Sequence, residues 1–257
     1  MRAAPLLLLT VAACLAPAAY AGEAQARYEA GIAATRAGDH EGATSQLLAA
    51  VDEGGRHPAV YHALGNAFYR QDDLGRAVAS WRRAAALAPR DGDIAANLQR
   101  ARRECVDRLE STNAGLFFWQ RLLSPAEGAG LAGLLAALGL AAGALRTWRS
   151  RRGGSTRRVG TETIVLLVLA ALLTTSTLAT RGGEGGAVVI APEASASSAL
   201  GPGGVELFVL HAGAEVSVVE RTDSHTLVAL PDARKGWLPS AALVSAEPGA
   251  PFPRPAD

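Results

Sequence analysis

The sequence predicts a multi-domain membrane protein in three parts: an all-α helical-repeat region, a two-helix transmembrane hairpin and an all-β small barrel. Three observations carry this expectation. Two apolar runs without a charged side chain, Gly128–Leu145 and Thr163–Thr180, flank a segment holding Arg146, Arg149, Arg151, Arg152, Arg157 and Arg158. Gly31 and Gly65 recur in a helical pattern at the spacing of a structural repeat. From residue 187 the pattern changes to short β-branched runs broken by turn residues, the mark of strands.

At 257 residues the chain holds one or two small domains beside a hairpin, and its formal charge of +1 gives no global reason to expect nucleic acid. Residues 1–21 read as a secretory signal: Arg2, an apolar stretch from Leu6 to Leu15, and Ala19-Tyr20-Ala21 as a small-residue cleavage site. Lipidation at Cys14 is the competing reading of that end. Only Cys14 and Cys105 occur, so the mature chain has no intramolecular disulfide framework.

Residues 22–110 form the expected repeat region. Gly31, Ala43 and Ala50 match Gly65, Ala77 and Ala84 at equal offsets. In the second unit Tyr61, Leu64, Gly65, Phe68, Ala77, Trp81, Ala84 and Pro89 resemble the tetratricopeptide repeat signature. Small residues are needed where two helices cross closely, large ones fill the gap between units, and Pro89 ends the second helix. The first unit is degenerate, with Arg27, Ala30 and Ala34 in place of large residues, but Gly38-Asp39 keeps the turn. A further helix from about Asp93 to Leu109 would cover the exposed end. The resemblance implies a groove built from the first helix of each unit, into which Tyr28, Thr35, Arg36, His62, Asn66, Tyr69, Arg70, Arg100 and Arg103 would look. Tyrosines, an amide and several arginines suit an extended peptide or an acidic chain terminus. A solvated helix face is the plain alternative for each residue. His62 is isolated and reads as a surface residue, and Cys105 as a small buried side chain.

Residues 111–127, apolar from Leu116 to Leu123, are too short to span and read as an interfacial segment. The spans follow at 128–145 and 163–180, joined by a basic loop, 146–162, that the positive-inside rule places in the cytoplasm. Two buried helices of a soluble domain are the competing reading. Against it stand apolar character all the way round and the bracketing Trp119 and Trp148. Gly139 and Gly143 permit close helix approach, and Thr174, Thr175, Ser176 and Thr177 offer hydroxyls to their own helix or its neighbour. Neither span carries an ionisable group, so packing is expected there in preference to transport.

Residues 181–186 are a Gly-rich tether. In 187–246, strand candidates are Ala187–Ile190, Glu215–Glu220, Thr226–Leu230 and Gly236–Leu238, whose spacing suggests a small barrel. Gly236-Trp237-Leu238-Pro239, with His211–Val216 and Val228–Pro231, resembles a bacterial SH3-like domain, an expected all-β barrel. Trp237 is the candidate contact there, or else a core or turn residue. His225-Thr226 stands where many such domains carry an aromatic, which counts against a wall-peptide groove. The Pro-rich stretch 247–257 is expected to be a disordered tail.

The order of these segments, with Phe117–Glu127 leading into the membrane, resembles the BatE family of bacterial aerotolerance operons. That resemblance implies a multi-pass protein of the bacterial inner membrane, with both globular domains on the periplasmic side. It also implies protein partners: membrane proteins with von Willebrand factor A domains and a MoxR-type ATPase system. The expected function is a non-enzymatic envelope scaffold without cofactor, metal site or catalytic residue, since the five histidines are scattered and no nucleophile has an evident base. The alternative is a membrane-to-wall tether that holds peptidoglycan through the SH3-like domain.

Overall fold

A computed structural model describes residues 17–107, 109, 123–151, 161–182, 185–201 and 203–253. Residues 1–16 of the expected signal, 111–122 of the interfacial segment, 152–160 of the basic loop, 183–184 of the tether and 254–257 of the tail lie outside the described residues. The chain divides into two compact units, one of Met1–Leu87, Asp91–Glu110 and Gly186–Asp257, the other of Ala88–Arg90 and Ser111–Gly185.

Among the described residues the first unit has the helices α1 (Pro17–Ala37), α2 (His40–Asp52), α3 (Pro58–Tyr69), α4 (Leu74–Leu87) and α5 (Gly92–Glu104). Local chemistry sets their ends. Gly38 takes φ +80 and closes α1, and Asp39 caps α2 by accepting from Gly42 N at 2.8 Å. The same device recurs one repeat later, where Asp72 takes φ +60 and Asp73 accepts from Arg76 N at 3.0 Å. Pro58 starts α3, where its missing N–H costs nothing. Asp91 caps α5, accepting from Asp93 N and Ile94 N.

Consecutive helices pack side by side, and two glycines set the closest crossings. A Cβ on Gly31 would lie 2.6 Å from Leu47 Cγ, and one on Gly65 would lie 2.5 Å from Trp81 Nε1. Leu47 and Trp81 hold equivalent positions in the two repeats, so each glycine makes room for the large side chain of the helix that follows. Leu47, Leu64, Tyr61, Phe68, Val78, Trp81 and Ile94 are buried in this array. Each such side chain contributes roughly 1.5–3 kcal/mol relative to exposure.

Seven strands complete the unit: β1 (Gly186–Val189), β2 (Glu193–Ser197), β3 (Glu206–His211), β4 (Glu215–Arg221), β5 (His225–Ala229), β6 (Lys235–Pro239) and β7 (Leu243–Ser245). They form one antiparallel sheet in the order β3-β2-β6-β5-β4-β1-β7. The order leaves β3 and β7 as edges with no pairing between them, so the sheet is open. Its core holds Val189, Ala194, Ala196, Leu210, Val216, Val228 and Leu238.

The expected all-β SH3-like barrel is corrected here on two counts: the sheet does not close, and it shares one compact unit with the helices. The expected all-α tetratricopeptide region is likewise not a domain by itself. Gly75 of α4 lies under β1, where a Cβ would come 2.6 Å from the Val189 carbonyl oxygen, and a Cβ on Gly213 would come 2.5 Å from Cys105 Sγ. Arg82 Nε stands 3.2 Å from one Glu215 oxygen and Arg102 Nε donates to the other at 2.7 Å. Asp107 accepts from His211 N at 2.6 Å.

Edge protection accounts for the open order. Ala246 N donates to Gly186 O and Ala242 O accepts from Ile190 N, so these alternate residues of the β7 segment point toward β1. The Ser245 carbonyl therefore points outward, and Arg83 of α4 meets it with Nε at 3.1 Å and Nη2 at 2.8 Å. A helix side chain thus satisfies an edge that a closing strand would otherwise cover.

The second unit contains α6 (Pro125–Arg151) and α7 (Thr161–Gly182). Ser124 and Glu127 form a reciprocal cap at the start of α6: Ser124 N donates to Glu127 Oε2 at 2.8 Å and Glu127 N to Ser124 Oγ at 3.3 Å. The helices touch at Gly139, where a Cβ would lie 3.2 Å from Leu167. Thr174 and Thr175 return their hydroxyls to Ala170 O and Ala171 O, both at 2.8 Å. The expected two-helix transmembrane hairpin is corrected. Among the described residues one helix is long and apolar enough to cross a bilayer, the 22-residue stretch Glu127–Trp148. The apolar part of α7 is Thr163–Ser176, which rises about 21 Å against a hydrocarbon core of about 30 Å.

Candidate functional site

The residues expected to line a groove fall into two groups. His62, Asn66 and Tyr69 follow each other at i, i+4 and i+7 on α3, so they share one face, and α5 meets that face. Asn97 Nδ2 lies 3.0 Å from His62 Nε2 and donates to Asn66 Oδ1 at 3.1 Å. Asn66 Oδ1 also accepts from Trp81 Nε1 at 3.2 Å. One turn further, the Tyr69 hydroxyl reaches both Glu104 oxygens at 2.9 Å, and its ring sits 5.6 Å from that of Trp81. The result is a polar ladder joining α3 to α5, with Trp81 behind it.

Electrostatics keep the Tyr69 phenol protonated. The hydrogen bond to Glu104 raises the Tyr69 phenol above its ordinary value, burial adds to the effect, and the charge of Arg100 opposes it. Tyr69 is therefore a donor, and Arg100 lies close enough to act on it. Arg100, Arg103 and Arg70 are all exposed. Arg100 thus stands beside a strip whose amide, imidazole and phenol are already oriented, and Arg70 and Arg103 adjoin it in the chain, a set of donors suited to carboxylates.

Tyr28 and Arg36 lie on α1, the first half-buried and the second exposed, at the positions that His62 and Arg70 hold in the next repeat. They take no part in the α3–α5 ladder. Trp237 is half-buried on β6, paired with Ser197 and Leu227, on the opposite face from Gly236 and Leu238. β6 lies between β2 and β5, and the ladder's bonds named above do not include Trp237. Asn97 and Glu104 were missing from the sequence expectations, although each carries a polar side chain 35 residues beyond its α3 partner.

Cys105 is buried, and its thiol is pushed up to about 11, chiefly by burial and then by Glu215 and Asp107. Among the described residues no cluster of three or more His, Cys, Asp or Glu could hold a metal ion. No protein-family model matches this chain, and no curated protein matches it.

Proposed function

We propose that the chain is a non-enzymatic, membrane-anchored interaction protein whose α3–α5 strip binds an acidic segment of a protein partner. The observation that carries this reading is the His62–Asn97–Asn66 and Tyr69–Glu104 ladder, with Arg100 near enough to act on Tyr69 and with the exposed Arg70 and Arg103 next in the chain to Tyr69 and Glu104. A preorganised strip loses little side-chain entropy when a ligand docks, so its charged hydrogen bonds count toward affinity. Anchoring is assigned to Glu127–Trp148, whose helix exposes Leu131, Leu134, Leu138, Leu140 and Leu145. From the likeness to the BatE family, the partners proposed are membrane proteins with von Willebrand factor A domains.

The test is crosslinking in intact cells followed by capture of the tagged full chain. Recovery of such membrane proteins is expected. It should fall at least about tenfold, the equivalent of about 1.4 kcal/mol, when Arg70, Arg100 and Arg103 are all changed to Glu. Undiminished recovery from that variant rejects the strip, and wall fragments without a consistent protein partner reject the protein-binding reading.

A further inference from the structure

On another side of α3, Tyr61 and Phe68 recur at i and i+7, about 115° around the helix from the polar ladder. Both are buried, and the chain's own segment 247–253 adds to the cover that the helices give them. Glu247-Pro248-Gly249-Ala250 closes a turn in which Ala250 N donates to Glu247 O at 3.2 Å. Proline at the second position and Gly249 at φ +98 match a type II turn. The segment then runs over the helices. Gly249 N donates to the Tyr61 hydroxyl at 3.2 Å, and the Pro251 carbonyl accepts from Arg83 Nη2 at 3.3 Å. The Phe252 ring stacks on Phe68 with centroids 5.5 Å apart, and the Arg83 guanidinium lies 4.5 Å from the Phe252 ring centre.

We infer that Tyr61, Phe68 and Arg83 form a second, separate binding seat, whose ligand is an extended, proline-flanked aromatic segment of a partner protein. In this chain the seat is filled in cis by 247–253. The contacts that hold the segment are mostly main-chain bonds plus one aromatic ring, so they demand little of a ligand's sequence beyond an aromatic in register. Pro248, Pro251 and Pro253 restrict the free segment and lower the entropy lost on docking. Such recognition is the peptide mode in which prolines present a preformed strand to aromatic walls. Arg83 is fully buried and its Nη1 has no acceptor at full hydrogen-bond geometry, although Nε and Nη2 are engaged and the Tyr61 hydroxyl acts on the guanidinium. One donor is therefore left for an acceptor that the cis segment does not supply. That spare donor favours a partner ligand over the chain's own segment.

Cis occupancy sets the affinity that a partner experiences. A short tether gives an effective concentration on the order of 1 mM. For a segment whose own Kd is on the order of 100 µM, apparent binding in trans weakens about tenfold.

The experiment is fluorescence anisotropy with a labelled peptide of residues 246–253 and the full chain in detergent, either unmodified or with Phe252→Ala. The Phe252→Ala chain should bind the peptide about tenfold more tightly than the unmodified chain. A peptide carrying Ala at the Phe252 position should not bind. Equal binding by both peptides, or none to the Phe252→Ala chain, overturns the inference. If that chain fails to fold, the unmodified chain at millimolar peptide decides: saturable binding that needs the Phe side chain supports the seat, and its absence overturns it. A dimer of the unmodified chain that Phe252→Ala abolishes would assign the seat to a second copy and overturn the partner reading. The α3–α5 strip is untouched by these changes, so failure here leaves the proposed function to its own test.

Discussion

In the first helix pair Gly31 lies against Leu47; at the equivalent place in the second pair, Gly65 lies against Trp81. The turns also correspond, Gly38-Asp39 with Asp72-Asp73. Yet the surfaces differ completely. Where α3 and α4 carry Tyr61, Phe68 and Arg83, the equivalent positions of α1 and α2 are Arg27, Ala34 and Ala49. Arg27 is used locally, donating to Glu53 and to Gln46 at 3.2 Å. The second pair instead reaches the β7 edge and segment 247–253. One repeated frame therefore carries two roles, and a few side chains on its surface decide which.

Breaking the frame should separate the pairs most clearly. Gly65→Ala drives a methyl into the rigid Trp81 indole, which also holds Asn66, and should cost about 3 kcal/mol; Gly31→Ala meets a Leu47 side chain that can turn, and should cost about 1 kcal/mol. Chemical denaturation of the two full-length variants checks the order, and equal losses would mean that the frames are packed alike. Arg83→Met should come next. It relieves a guanidinium whose pKa is lowered by burial, but it leaves the Ser245 and Pro251 carbonyls without their donor, and the net loss should be about 2 kcal/mol. The same change at the equivalent Ala49 has no edge strand to uncover and should cost less. The smallest effect should be a gain. Asp72 holds the left-handed conformation that Gly38 holds in the first pair, so Asp72→Gly should stabilise the chain by about 1 kcal/mol. A loss would show that the Asp72 side chain makes a contact worth more than the strain.

The repeat was legible in the sequence because its glycines and caps are local devices at fixed offsets. Strands beginning near 187, 215, 226 and 236 were legible for a similar reason, since β-branched residues cluster there. β2 was not: Glu193-Ala194-Ser195-Ala196-Ser197 has no β-branched residue and is a strand through its pairing with β3. Sheet closure was equally hidden, because it depends on Arg83 meeting a carbonyl 162 residues away. Composition argued for disorder after residue 246, whereas 247–253 makes a turn and bonds to Tyr61 and Arg83, contacts that composition does not register. Two apolar runs of similar length suggested two spans, but Glu127 and Trp148 extend only the first to spanning length. In the candidate site, the α3 members were visible from the repeat. Their α5 partners Asn97 and Glu104 were obscured, because that helix lacks the repeat's glycine.

The most direct test of the account is a photo-crosslinking residue placed at position 100 of the full chain in its own cells, with and without Arg70→Glu and Arg103→Glu. One defined membrane-protein partner should attach at that position, and the attachment should be lost in the charge-reversed chain. Attachment only to lipid or wall material, or the same partner captured equally by the charge-reversed chain, would contradict it.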